Sequence, residues 1–143
     1  MSLLLDTCVV SELVKKAPHD AVVTWLSRQD EESLYLSVLT LGELEKGIAK
    51  LRASGRRNRL RAWVRRDLAA RFADRLLPID ISVAARWGML TGDAEKRGTP
   101  LPIIDSLIAA TALERGFSVV TRNVADFERC GVICVNPWEE QAK

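Results

Sequence analysis

"LLLDTCVVSEL", residues 3 to 13, decides the fold. Leu3, Leu4 and Leu5 form an apolar run without alternation, which marks a short strand buried on both faces. Asp6 stands where the backbone must leave the sheet, and a helical pattern begins almost at once. Four more apolar runs repeat the theme: "LYLSV" at 34 to 38, "LLPI" at 76 to 79, "FSVVT" at 117 to 121 and "VICV" at 132 to 135. Helical periodicity fills the intervals, at 9 to 16, 20 to 28, 40 to 53, 57 to 74, 82 to 97 and 103 to 115. Strands separated by helices predict an α/β fold with a parallel sheet covered on both faces, because parallel neighbours need a crossover and the crossover is usually a helix.

The chain has 143 residues, 48% of them hydrophobic, which predicts one globular domain over 1–143 with a single core. No basic stretch leads into a long apolar region at the N-terminus, and no segment reaches the ~18 apolar residues of a membrane span. A soluble, cytoplasmic protein with no membrane partner is expected. Of the three cysteines, Cys130 and Cys134 lack the CxxC spacing and nearby histidines of a structural zinc site, so packed, reduced thiols are expected.

The net charge of +2 conceals a division along the chain. Residues 52 to 75 hold nine arginines against Asp67 and Asp74, a local +7 that leaves the remainder at −5. Leu60, Val64, Leu68 and Phe72 recur every four residues there, as in an amphipathic helix with arginines on its wet face. That face is either simply solvated or a polyanion-binding surface, with Arg56, Arg57 and Arg61 as the candidate contacts.

In a parallel sheet, ligands gather outside the carboxyl ends of the strands. Acidic residues at those ends therefore carry the chemical information: Asp6 after the first strand, Glu43 in the first turn of the next long helix, Asp105 opening "IIDSLIAATALERG", and Asp126, with Asn123, after the fourth strand. Structural roles compete with chemical ones. Thr40-x-x-Glu43 matches a capping box, and Asp6 can cap the helix that follows it. Asp80, in "PIDIS", reads as an ordinary N-cap. Asp105 differs, because Ile108, Ala109 and Ala112 make its helix face apolar and hold the carboxylate against the core, where an unpaired charge is costly.

Other chemistries lack parts. His19, the only histidine, lies in the polar turn "KKAPHD", which leaves histidine-based nucleophilic catalysis without a promising base. Neither GxxxxGK[ST] nor GxGxxG occurs, so no nucleotide cofactor is expected. Hard carboxylate oxygens suit Mg²⁺ or Mn²⁺, and acids converging at a strand edge repel one another unless a divalent cation neutralises them. Such a cation can activate water and stabilise the charge on a phosphodiester.

Four segments, "LLLDTCVVSEL", "YLSVLTLGELEKGI", "PIIDSLIAATALERG" and "VVTRNVADFERCGVICVNPW", together resemble the PIN-domain ribonucleases, in particular the VapC-type toxins of toxin–antitoxin pairs. The resemblance covers nearly the whole chain. It implies a three-layer fold with a central, mostly parallel five-stranded sheet flanked by helices, and a Mg²⁺- or Mn²⁺-dependent endoribonuclease that leaves a 5′-phosphate and a 3′-hydroxyl. It also implies a cognate antitoxin, an RNA substrate and a homodimer. Asp6, Glu43 and Asp105 match the family's three acids: Asp6 and Asp105 as metal ligands, Glu43 as a ligand directly or through a water. Thr7 and Thr121 are placed to hydrogen-bond these carboxylates or a phosphate. The family's fourth acid is replaced by Asn123, whose side-chain oxygen would complete the cup, with Asp126 three residues on. Cys8 stands where asparagine often follows the D-T pair. A partner helix would lie in an apolar groove formed by the two short N-terminal helical patterns and the one at 40 to 53. The competing readings are a catalytically weak module that binds RNA or a partner, and a metal-dependent phosphatase. The phosphatase pattern D-x-D-x-T is broken at Cys8.

Overall fold

The computed structural model describes residues 1–139. Five strands, β1 (Leu3–Leu5), β2 (Leu34–Ser37), β3 (Leu76–Leu77), β4 (Ser118–Val120) and β5 (Cys134–Val135), form one sheet in the order β3-β2-β1-β4-β5. All four pairings are parallel. The sheet grows outward from β1 in one direction through β2 and β3, and in the other through β4 and β5. The crevice where the chain changes direction therefore opens between the ends of β1 and β4, the usual place for a ligand in such sheets.

Alternation along β1 divides the core. Leu3 and Leu5 face one layer with α1 (Thr7–Leu13), α2 (Asp20–Ser27) and the arginine-rich helix, through Val9, Val10, Leu26, Leu68 and Phe72. Leu4 faces the other, with Ile108 and Ala112 of α7 (Ile103–Arg115) and Phe127 of α8 (Val124–Glu128). Both layers exclude water from β1, whose three leucines are at most 1% exposed. Helix α6 (Ile81–Lys96) packs against α7, and Asp80 caps it as expected, accepting the Val83 N–H at 3.0 Å.

Two expected boundaries move for physical reasons. The helix predicted from residue 40 begins two residues earlier, as α3 (Val38–Ala49), because the buried Ser37 hydroxyl accepts the Leu39 N–H at 3.0 Å and serves as its N-cap. The arginine-rich helix, predicted over 57 to 74, comprises α4 (Gly55–Ala62), a π-helical stretch at Trp63–Leu68, and a last turn, α5 (Ala69–Arg71). Each step of four residues overshoots an α-turn by ~40°, so a strict every-fourth stripe drifts off one face. The wider π-turn sets that drift back. Val64, Leu68 and Phe72 are consequently all at most 3% exposed. Short helices at Glu31–Ser33 and Val124–Glu128 were not predicted, since neither is long enough to show a period. The three cysteines are free, and among the described residues no helix is long and apolar enough to cross a membrane.

Candidate active site at the carboxyl edge of the sheet

The first residue beyond β1 remains tied to the sheet: the Asp6 N–H donates to the Val120 carbonyl at 2.9 Å. This places the Asp6 carboxylate in the crevice, 6% exposed. One oxygen, Oδ1, accepts the Thr7 N–H at 2.8 Å and caps α1. The other, Oδ2, accepts the buried Thr121 hydroxyl at 2.8 Å and the Cys8 thiol at 3.5 Å. Cap and site were competing readings of Asp6, yet its two oxygens serve both.

Thr121 links the two halves of the crevice. While its hydroxyl donates to Asp6, its oxygen accepts the Asn123 N–H at 2.9 Å. The Asn123 side-chain amide then donates to Asp105 at 3.3 Å and to Asp126 at 3.0 Å. The NH₂ group thus faces two carboxylates, which can only accept, while the oxygen contact expected of Asn123 would be made to a bound ion. Asp126 is further held by Arg129 at 3.0 Å.

Glu43 arrives from the opposite side on α3. With Ser37 as N-cap, Glu43 lies in the second turn rather than the first, and the capping box with Thr40 does not form. Its carboxylate instead accepts the Thr7 hydroxyl at 2.5 Å, and the buried Thr40 hydroxyl oxygen lies 3.3 Å from the Thr7 hydroxyl. Thr7 thus touches both acids, Asp6 through its N–H and Glu43 through its hydroxyl.

The carboxylates interact electrically across these bridges. The pKa of Asp105 is raised to about 6, first by burial and then by the negative charges of Asp6, Asp126 and Glu43, while the Asn123 hydrogen bond opposes the rise. Burial, reinforced by Asp6, also pushes up the Cys8 thiol, which keeps its proton and can donate it to the carboxylate. As the side chains lie, no group of three acids, cysteines or histidines among the described residues is arranged to hold one ion. Their oxygens are turned toward Thr7, Thr121 and Asn123. Each carboxylate nevertheless has lone pairs to spare, and an all-oxygen donor set with surplus negative charge has the chemistry of a hard divalent site. The raised pKa of Asp105, due first to burial, carries a contribution from that surplus.

Basic and apolar surfaces adjoin the acids. Arg65 pairs with Glu45 at 3.1 Å, and Arg71 and Arg75 pair with Glu31 at 2.6 and 3.2 Å, so the second half of the arginine stretch follows the solvated-face reading. Arg56, Arg57 and Arg61 make no ion pair among the described residues, and Arg56 helps line a cavity with Lys15 and Lys16. Beside it, a groove of about 210 Å³ runs between α1, α3 and α4, lined by Val14, Leu44, Ile48, Leu51, Leu60 and Trp63 and ending at Thr7 and Glu43. The groove expected from both N-terminal helices uses only the first of them. Helix α2 buries Val22 and Leu26 in the core, and α4 takes its place.

Sequence reasoning missed Arg122, whose guanidinium lies 4.4 Å over the Trp138 ring. Its position between Thr121 and Asn123 was the available signal, but a partner sixteen residues away was not.

The PIN domain family profile matches residues 3–132. The VapC ribonuclease Y4jK of Sinorhizobium fredii is 38% identical over 137 residues, 96% of this chain and 98% of that protein. Toxin FitB of Neisseria gonorrhoeae is 36% identical over 138 residues, 96% and 99% of the two chains. The crystal structure of FitAcB from Neisseria gonorrhoeae superposes with a TM-score of 0.90 at 36% identity, covering 96% of this chain and 99% of that one. A structure of VapBC-5 from Mycobacterium tuberculosis, a member of the VapBC family of toxin-antitoxin systems, aligns at 26% identity with a TM-score of 0.65 over 90% of each chain.

Proposed function

The chain belongs to the PIN-domain family, and from that premise we propose that it is the toxin of a type II toxin–antitoxin pair, an endoribonuclease acting in the cytoplasm as a single nuclease domain. The observation that carries the reading is the convergence of Asp6, Glu43, Asp105 and Asp126 at the switch point of the sheet, bridged by Thr7, Thr121 and Asn123, where burial and then the neighbouring negative charges raise Asp105. A cluster that is unfavourable to itself is well suited to a cation and poorly explained as scaffolding.

Asp6, Asp105 and Glu43 would hold Mg²⁺ or Mn²⁺. When bound, that ion supplies Lewis-acid stabilisation of the charge building on the phosphodiester and lowers the pKa of water at the site. The protein's own contribution is orientation. Thr7 and Thr121 fix the two oxygens of Asp6, and Thr7 fixes Glu43 with its hydroxyl. Asn123 spaces Asp105 from Asp126 and keeps both facing the crevice. Hydrolysis then needs water in line with the leaving oxygen, and the crevice is open to admit it.

The cognate antitoxin would lay an apolar segment in the groove beside Thr7 and Glu43, where it would also obstruct the acids. Arg56, Arg57 and Arg61 flank the route by which RNA reaches them. A homodimer is the proposed assembly, following the family. The test is cleavage of an end-labelled RNA pool in Mg²⁺ or Mn²⁺, repeated in chelator and with Asp6→Asn. Metal-dependent cutting that Asp6→Asn abolishes supports the reading. RNA bound but never cut would favour the binding-module alternative, and cutting unchanged in chelator would refute the metal.

A further inference from the structure

An acid cluster that must accept a polyanion needs cations placed near it, and the loop between β4 and α8 carries one that no role above has absorbed. Arg122 is exposed, and it stands between Thr121, which holds Asp6, and Asn123, which holds Asp105. Its own backbone faces the Cys8 thiol. The guanidinium stacks on Trp138 at 4.4 Å. Trp138 packs one side against the inner core, and its buried indole N–H has no partner among the described residues, so packing of its faces holds the ring.

A stacked guanidinium keeps its N–H groups in its own plane, pointing away from the ring, and so available for a fork-shaped contact. Among the described residues no carboxylate uses them. Glu12 feels the charge of Arg122 but hydrogen-bonds elsewhere, to Lys15 at 2.5 Å and to the His19 N–H at 3.3 Å. Arg129, the other cation of this segment, is committed to Asp126. Arg122 is therefore a pre-oriented donor with no carboxylate partner among the described residues, carried on the loop whose neighbouring residues hold Asp6 and Asp105.

We infer that Arg122, held flat by Trp138, binds a phosphate of the RNA strand adjacent to the one being cut, and that the Arg122–Trp138 stack is a substrate-positioning element. The inference rests on the ribonuclease reading and deepens it. A planar donor fork matches phosphate geometry, and stacking lowers the entropy lost when the contact forms.

The test is binding of a fluorescent single-stranded RNA to the full-length protein in chelator across a salt series, with kcat/KM in Mg²⁺ measured alongside and thermal melts of every variant. Arg122→Gln should weaken binding about tenfold and reduce the slope of log K against log salt by ~0.7, the value for one phosphate on a single strand. Arg122→Lys should restore the slope but only part of the affinity, because it keeps the charge and loses the fork. Trp138→Ala should leave the slope unchanged and weaken binding, and Trp138→Phe should recover most of that loss. If the stack is only a clasp for the C-terminal segment, the Trp138 variants will melt earlier while affinity and slope stay at the parent values, and the inference falls. A parent protein that binds and cuts RNA beside an equally competent Arg122→Gln also overturns it. A parent that neither binds nor cuts RNA overturns the ribonuclease reading as well.

Discussion

Replacing Asp105 with asparagine should make the metal-free protein more stable at pH 7, which is unusual for a change at a half-buried polar residue. In the folded chain the carboxyl titrates at about 6 instead of 3.8, chiefly through burial and then through Asp6, Asp126 and Glu43. Taken at face value, that difference costs about 3 kcal/mol when Asp105 is ionised, at ~1.36 kcal/mol per pH unit. Solvent reaches part of the side chain and screens it, so about 1–2 kcal/mol is the working figure. Asparagine removes the charge, and its oxygen can still accept from Asn123. For a chain of this size the gain corresponds to a rise in Tm of about 3–6 °C. The size of the gain depends on pH. Above about 6 both states of the parent are ionised and the full cost is present. Between about 6 and 3.8 the folded state binds the extra proton, so parent stability rises as pH falls and the advantage of the variant shrinks. Below 3.8 the advantage should vanish. Melting both proteins in chelator at half-unit steps from pH 3.5 to 8, as far as each stays folded, measures the curve. A variant less stable than the parent at pH 7, or a gain that does not change with pH, would refute the claim that burial and the neighbouring charges disfavour ionised Asp105.

Further predictions follow from the same cluster. Millimolar Mn²⁺ or Mg²⁺ should raise the parent Tm in proportion to the logarithm of its excess, and much less so for Asp105→Asn; an unchanged parent Tm would count against the ion. Asp6→Asn keeps the cap on α1, so the metal-free fold should be at least as stable as the parent. RNA cleavage should nonetheless fall beyond the roughly 10–100-fold that losing an outer partner costs, and single-turnover activity within a few-fold of the parent would end the assignment. Thr7→Val removes the hydroxyl that Glu43 accepts; it should lower metal affinity by roughly 10–100-fold, read by titration calorimetry, and unaltered affinity would show that Glu43 needs no such support. Neutralising Arg56, Arg57 and Arg61 together should flatten the salt dependence of RNA binding by ~2 in slope, whereas equal slopes would return them to a solvated face.

What was legible in the sequence was whatever follows from local pattern, and what was not depended on side chains meeting across the sheet. The unbroken apolar run of Leu3 to Leu5 already implied a central strand, because only a strand covered on both faces needs three leucines in succession. The acids at the strand ends were equally readable, since topology alone puts the ends of β1 and β4 side by side. Glu43 shows the limit. A capping box is a local rule, and it was locally satisfied, but Ser37 had already capped the helix and so left Glu43 available to Thr7, thirty-six residues away. For Asn123 the sequence suggests an oxygen offered to a metal. Its actual neighbours, Asp105 and Asp126, demand donors, and which end of an amide is used depends on partners that spacing does not disclose. The π-turn at Trp63–Leu68 is the reverse case. The every-fourth stripe is visible in the sequence, and its conflict with a 3.6-residue turn is the signature of a widened helix. For Glu43 and Asn123 the local signal was sound, and the structure differs where a second element competed for the same group. The acid cluster is where such competition is densest, and Thr7, Thr121 and Asn123 resolve it by each holding two groups at once.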